Sequence, residues 1–263
     1  MTDAKLVLNK VVKKYGTRKN NINEVIDGID LRIKRGEFIC IVGPSGCGKT
    51  TLLNMILGLE KPTSGEIIID GKPIDGVGND RACVFQENTL FPWLSVRENI
   101  ELGLKIKVRR KKGSTKAQRH ELTDKYMSAV GLTDYADYRI HEISGGMKQR
   151  VSLARALVLE TEILLLDEPF AALDIVTKHS MQCEMLKIWK ETSKTVIFIT
   201  HDVEEAVMLA QRVVVLGKAP DSVKAVLDIP IDYPRKNDDE NVLGCILNIK
   251  NILASTGITG ETV

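Results

Sequence analysis

The sequence predicts an α/β protein with a mostly parallel sheet, an antiparallel β part at the N-terminal end and an inserted α-helical segment. Three observations carry that fold class. A glycine-rich loop joins residues 37–42, a short apolar run of strand type, to residues 51–57, an apolar helical segment closed by Gly58. The wholly apolar run at 163–166 leads straight into Asp167-Glu168-Pro169, as a central parallel strand buried on both faces does. From 87 to 159 the apolar spacing is helical, and beyond 159 strands and helices alternate as in a doubly wound sheet.

The loop, Gly43-Pro44-Ser45-Gly46-Cys47-Gly48-Lys49-Thr50, meets the phosphate-loop pattern G-x-x-x-x-G-K-[ST] at every fixed position. Its setting between strand and helix is the one the chemistry requires. Glycines let consecutive backbone N–H groups turn inward on a triphosphate, and the helix N-terminus adds partial positive charge. Lys49 reaches the outer phosphates and Thr50 offers a hydroxyl to Mg²⁺.

Composition narrows the class further. At 263 residues the chain suits one large α/β unit with a subdomain, and 37 Lys and Arg against 35 Asp and Glu leave a formal charge of +2. That balance argues for no nucleic-acid partner. No apolar run approaches the ~18 residues that span a bilayer, and the opening residues lack a signal-peptide profile, so a soluble intracellular chain is expected. Five scattered cysteines with no C-x-x-C pair fit a reducing compartment and no zinc site. Cys47, inside the loop, is expected to be open to oxidants and alkylating agents but not catalytic.

At the N-terminal end, strands at 6–12 and 25–33 flank a polar loop at 16–23, and Tyr15 closes the first strand. After the phosphate-loop helix, runs at 67–69 and 72–74 flank Asp70-Gly71, the signature of a tight hairpin. A buried strand at 82–85 ends at Gln86. Two capping boxes, Ser95 with Glu98 and Thr115 with Gln118, start the first two inserted helices, and Gly131 ends the second. The Lys- and Arg-rich stretch 105–120 between them reads as a solvated loop and helix face, with attraction to anionic lipid headgroups as the minor alternative. Ser144 caps a third helix reaching Leu159. Then come a helix at 175–191, a strand at 195–200, His201, a helix at 203–210 and a strand at 213–216. A last strand at 225–229 and an amphipathic C-terminal helix bearing Val242, Leu243, Ile246, Ile249 and Leu253 follow.

Phosphoryl transfer to water needs a phosphate cradle, a metal, a group that positions or deprotonates water, and neutralisation of developing charge. Asp167 is placed to hold Mg²⁺ through its water shell, and Glu168 beside it to face an attacking water. His201, at a strand end, suits contact with the terminal phosphate or the water, against a purely structural role. Gln86, at another strand end, suits a metal or water ligand. The helix opened by Ser144-Gly145-Gly146 supplies a second anion site.

In this order, Gly43 to Thr50, Ile143 to Met147, Leu165 to Glu168, Ala172-Leu173-Asp174 and His201 resemble the ATP-binding subunits of ABC transporters, over residues 5–217. The resemblance implies one ABC ATPase domain: a nucleotide-binding core at 5–86 and 160–217, a helical signature subdomain at 87–159 and a C-terminal extension at 218–263. It implies ATP and Mg²⁺ as cofactors, and two subunits facing head to tail with ATP between one phosphate loop and the other signature helix. Tyr15 then stacks on adenine; Gly43, Pro44, Ser45, Gly46, Cys47, Gly48, Lys49, Thr50 and Thr51 bind ATP; Thr50, Gln86 and Asp167 hold the metal. Ser144, Gly145, Gly146 and Met147 reach ATP on the opposite subunit, Glu168 is the general base, Asp174 couples the two sites, and His201 is the switch histidine. Ile143 and Met147 stand where the commonest signature has Leu and Gln, which leaves the serine and glycines intact.

Met147, Phe91-Pro92-Trp93-Leu94 and residues 169–174 look like the nitrate, sulfonate and taurine importer group, and Asp232-Tyr233-Pro234-Arg235 is similar to that group's tail. The implied function is the ATP-hydrolysing subunit of an importer of a small anionic solute. Its partners are a second copy, integral membrane permease subunits and, indirectly, an extracytoplasmic solute-binding protein, which puts it at the cytoplasmic face of the membrane. Phe91, Pro92 and Trp93 contact the permease in this reading, with core packing as the alternative for Trp93. An exporter or lipid-trafficking ATPase, or a soluble ABC ATPase, are the competing functions.

Overall fold

The computed structural model describes residues 4–16, 22–86, 89–110 and 115–255. In chain order the elements are β1 (Ala4–Gly16), β2 (Ile22–Lys34), β3 (Phe38–Val42), α1 (Lys49–Leu57), β4 (Ser64–Ile69), β5 (Lys72–Pro73) and β6 (Arg81–Val84). Next are α2 (Val96–Arg110), α3 (Lys116–Ala129), two 3₁₀ turns at Thr133–Tyr135 and Ile140–Glu142, α4 (Gly145–Leu157) and β7 (Ile163–Asp167). The chain continues through α5 (Ile175–Thr192), β8 (Thr195–Thr200), α6 (Val203–Leu209), β9 (Arg212–Leu216), β10 (Val223–Asp228) and α7 (Glu240–Ser255). They group into two units, one over Met1–Gly78 and Ser193–Val263, the other over Asn79–Thr192.

The first unit contains an antiparallel sheet in the order β2-β1-β4-β5. Strands β1 and β2 run further than their apolar cores predict, because cross-strand charge pairs such as Lys14 with Glu24 at 3.0 Å carry the pairing into polar sequence. Ile22 and Asn23 are therefore strand, and 17–21 of the expected loop lie outside the described residues. The Asp70-Gly71 hairpin forms as expected, with Ile69 opposite Lys72 and positive φ at both turn residues (49° and 74°). Lys5, its side chain fully buried, and Arg35 each lie 2.5 Å from the Asp70 carboxylate.

The same unit holds β10-β9-β3-β8, in which β3 is parallel to both β8 and β9 and β10 is antiparallel to β9. All five residues of β3 and all six of β8 are buried, as parallel strands covered on both faces must be. β10 starts at Val223, two residues earlier than predicted, by pairing with Leu216.

The second unit is built on the parallel pair β6 and β7, with Val84 opposite Leu166. Its helices start where the capping boxes place them: Ser95 and Glu98 exchange bonds at 3.2 and 2.8 Å, and Thr115 and Gln118 at 3.2 and 2.8 Å. The basic stretch 105–120 is mostly helix, split between α2 and α3, and 111–114 lie outside the described residues. The third inserted helix, α4, ends at Leu157. No helix among the described residues is long and apolar enough to cross a membrane.

Candidate active site

The phosphate loop leaves the C-terminal end of β3, and α1 begins at Lys49, two residues earlier than the apolar pattern predicts. Two of its glycines are sterically required. A Cβ on Gly43 would sit 2.7 Å from the Leu216 carbonyl oxygen and 2.8 Å from Cys47 Sγ. Gly48 is left-handed at φ 95°, where a Cβ would also meet Ile26 at 2.9 Å. Lys49 Nζ donates to the carbonyls of Gly43 at 2.6 Å and Pro44 at 3.0 Å, which gathers the loop around its own cation. Ser45, Gly46 and Thr50 are exposed, and Pro44 and Thr51 are half-buried. Cys47 is the exception to its sequence reading: it is 1% exposed, and burial pushes its thiol pKa up, with Lys49 opposing in part. A protonated, enclosed thiol fills space and is closed to reagents.

His201 follows β8 as the loop follows β3. Because Val42 lies opposite Thr200 in parallel register, Gly43 and His201 leave neighbouring strands at the same edge. That carboxyl edge is where open α/β sheets take ligands. His201 is exposed.

The other unit repeats the arrangement. With Val84 opposite Leu166, Gln86 and the Asp167-Glu168 pair leave β6 and β7 at one edge, and Gln86 Nε2 donates to Glu168 Oε2 at 3.3 Å. The two carboxylates differ in surroundings, as divided roles require: Asp167, the last residue of β7, is 3% exposed, whereas Glu168 is half-buried. Glu168 also holds a left-handed backbone at φ 47°, which for a non-glycine residue costs about 1–3 kcal/mol and is typical of sites where geometry serves chemistry. Beneath them Cys83 has its thiol pKa raised by burial and then by the Asp167 charge.

Ser144 caps α4, its hydroxyl accepting from Met147 N–H at 3.2 Å, with Ser144 and Gly145 exposed and Gly146 and Met147 half-buried. Ile143, the departure from the commonest signature, is buried and acts as an anchor. A Cβ on Gly146 would come 3.1 Å from Leu173, so this helix start fits closely against the segment leading to Asp174. Asp174 is exposed and accepts from Thr177 N–H at 3.0 Å; bonds from the Thr177 side chain and then its backbone lower the carboxyl pKa.

Tyr15 is partly exposed, its hydroxyl bonded to Glu60 and Thr51 and Lys13 Nζ 4.9 Å from its ring centroid. Burial and then Glu60 raise its pKa. Phe91 is half-buried, Pro92 exposed and Trp93 68% exposed, so core packing does not account for Trp93. Phe91 and Trp93 rings lie 5.4 Å apart. Two residues that sequence reasoning missed hold this segment. Asn99, fully buried, accepts from Phe91 N–H at 2.9 Å and donates to the carbonyls of Phe91 (3.1 Å), Leu94 (3.3 Å) and Ser95 (2.9 Å). Arg139 donates to the Trp93 carbonyl at 2.7 Å. The available signal was an Asn four residues into a capped helix, on the face of Ser95, where a polar side chain needs a local partner.

Residues 26–171 match the model of the ABC transporter family. The chain belongs to that family. Among relatives of this cassette, the nitrate import ATP-binding protein NrtD of Synechococcus elongatus is 48% identical over 214 residues, covering 81% of this chain and 77% of that one. The bicarbonate transport ATP-binding protein CmpD of the same organism is 43% identical over 243 residues, covering 92% and 85%. A solved dimeric ATP-binding cassette in a post-hydrolysis state with ADP and Pi superposes with a TM-score of 0.78 at 32% identity, over 86% of this chain and all of the other. The cassette is thus an ATP-binding, ATP-hydrolysing subunit of the nitrate-type importer group.

Proposed function

We propose that this cassette powers import of a small anionic solute of the nitrate, sulfonate or taurine type, as a pair of copies on two integral membrane permease subunits at the cytoplasmic face of the membrane. The observation that carries the proposal is the 48% identity with a nitrate import subunit across 81% of the chain. The strand-edge chemistry described above is what such a motor needs. An extracytoplasmic solute-binding protein acts on it only through the permease.

In this reading the domain is single, with core segments at 5–86 and 160–217, the signature segment at 87–159 and an extension at 218–263. Tyr15 stacks on adenine and the backbone N–H groups of Gly43 and of residues 45–51 take the phosphates, with Pro44, which has no N–H, shaping the loop between them. Lys49 exchanges the Gly43 and Pro44 carbonyls for the outer phosphate oxygens. Thr50, Gln86 and Asp167 supply hard oxygen donors of the kind Mg²⁺ selects, and the ion, when bound, neutralises charge on the phosphates. Glu168, oriented by Gln86, takes a proton from water as its oxygen bonds to the terminal phosphorus and the bond to ADP breaks. His201 contacts that phosphate. Ser144, Gly145, Gly146 and Met147 complete the site of the opposite copy, and Asp174 couples the two. Phe91, Pro92 and Trp93 dock the permease.

Co-purified cassette and permease, reconstituted in vesicles with the solute-binding protein in the compartment facing it, test the proposal. Uptake of nitrate, a sulfonate or taurine into the cassette's compartment, driven by ATP there, is expected. Movement in the opposite direction only would replace the proposal with an exporter, and selectivity for bicarbonate would move the cassette to the other relative's solute.

A further inference from the structure

The C-terminal extension engages both ends of one short helix. α6 follows His201 with a single residue between, and Asp202 is its N-cap, accepting from Glu204 and Glu205 N–H at 2.9 and 3.2 Å. Asp202 N–H in turn donates to Thr200 Oγ1 at 3.0 Å, so a bridge spans His201 from the last residue of β8 to the cap of α6. The backbone that carries the imidazole therefore has little freedom independent of the helix.

At the other end, carbonyls left over by the last turn are taken by tail side chains. Arg235 Nη1 donates to Val207 and, at 2.7 Å, to Ala210, while the Tyr233 hydroxyl donates to Leu209 at 2.7 Å. The remaining guanidinium nitrogens bind the tail itself, Nε to Ile231 at 2.9 Å and Nη2 to Ile229 at 3.3 Å. The Tyr233 ring lies 4.3 Å from the guanidinium carbon. Arg235 is only 8% exposed. A buried cation is costly unless fully bonded, and here the carbonyls, the ring and the negative end of the helix dipole all favour it. α7 adds a contact at the first turn, Lys250 to Glu204 at 3.1 Å, and buries Val242, Ile246 and Ile249.

We infer that the extension is a brace on α6 and that Arg235 is a positioning residue, acting through α6 to hold His201 at the sheet edge. A fork of fixed planar geometry, bound to carbonyls of α6 and of the tail at once, sets the axial position of the helix in a way a single ammonium does not. The inference rests on the proposed contact between His201 and the terminal phosphate.

The test uses the full chain with Arg235→Lys, which keeps the charge and loses the fork, alongside His201→Ala and the double variant. Displacement of an aligned group by a fraction of an ångström predicts a fall in kcat of about tenfold for Arg235→Lys, with KM for ATP within about twofold. On the His201→Ala background the same substitution should cost nothing further. Of the four histidine imidazoles seen by NMR, only that of His201 should shift in Arg235→Lys, while those of His120, His141 and His179 stay in place. An unmoved His201 resonance, shifts at all four, or an equal loss of kcat with and without His201 would overturn the brace. A His201→Ala variant of normal turnover would instead remove the catalytic reading of His201, a failure read on a different sample.

Discussion

Glu168 combines a left-handed backbone, half-burial and a bond from Gln86, and each has a separate consequence. The strain is tolerated because the turn after β7 closes on itself, Ala171 N–H donating to the Glu168 carbonyl at 3.2 Å. Glu168→Gln keeps that turn and the bonding size of the side chain but cannot accept the water proton. ATP affinity should stay within about twofold while turnover falls by a factor of at least about 10², measured by nucleotide titration beside phosphate release. The cysteines divide by the same reasoning. Raised thiol pKa values at Cys40, Cys47 and Cys83 lower the thiolate fraction near neutral pH, whereas Cys183 is exposed beside His179 at 4.0 Å. Alkylation of the folded chain followed by peptide mass spectrometry should label Cys183 well before Cys47; early labelling of Cys47 would contradict its enclosure.

At the scale of elements, two polar anchors carry more than their sequences suggest. The β4–β5 hairpin is tied down by Asp70, whose pKa burial would raise but which Lys5 and Arg35 bring below the ordinary value. A depressed carboxyl pKa means stability present above the unfolded value, about 3.9, and lost as pH falls through the folded one. Asp70→Asn, which tolerates the left-handed turn, should lower Tm at pH 7, with the gap to the parent closing below about pH 4. Equal gaps at both pH values would show that the charge is not the cause. Asn99 plays the corresponding part at the start of α2. Asn99→Ala takes the side-chain partner from the Phe91 N–H and the Leu94 carbonyl, a loss of about 1–3 kcal/mol, while the Phe91 and Ser95 carbonyls keep bonds from the Leu94 and Asn99 backbone N–H groups. If residues 91–93 dock the permease as proposed, both this variant and Trp93→Ala should release the cassette from the permease in co-purification, with ATP binding retained in both. Retention of either variant on the permease would separate this segment from docking.

For the whole molecule, the residues proposed for binding and hydrolysis fall in two units: the loop, Tyr15 and His201 in one, Gln86, Asp167, Glu168, Ser144 and Asp174 in the other. Ser144 and Asp174 have exposed polar groups that their own helices use only as caps. The related cassette solved with ADP and Pi is dimeric, and the proposed pairing of two copies on ATP gives both residues a ligand or partner. Glu168→Gln with ATP should therefore elute as a dimer on size exclusion and revert to monomer when nucleotide is removed. A monomer at ATP concentrations that saturate binding would end the paired-site proposal.

The amino-acid sequence alone determined the parts whose physics is local. Closely spaced glycines at 43, 46 and 48 bend one loop before Lys49, Ser95 with Glu98 and Thr115 with Gln118 start helices within four residues, and the apolar run before Asp167 declares a strand covered on both faces. Strand ends and helix starts shifted by a few residues, since pairing and capping extend past the apolar pattern. Only the tertiary structure decided which strand ends share an edge, that Cys47 is enclosed and Trp93 is not, and that Glu168 sits in a strained conformation. It also brought Arg235 to the carbonyl end of a helix 25 to 28 residues away. Register, burial and long-range bonds depend on what the rest of the chain brings alongside, and no window of sequence contains that partner.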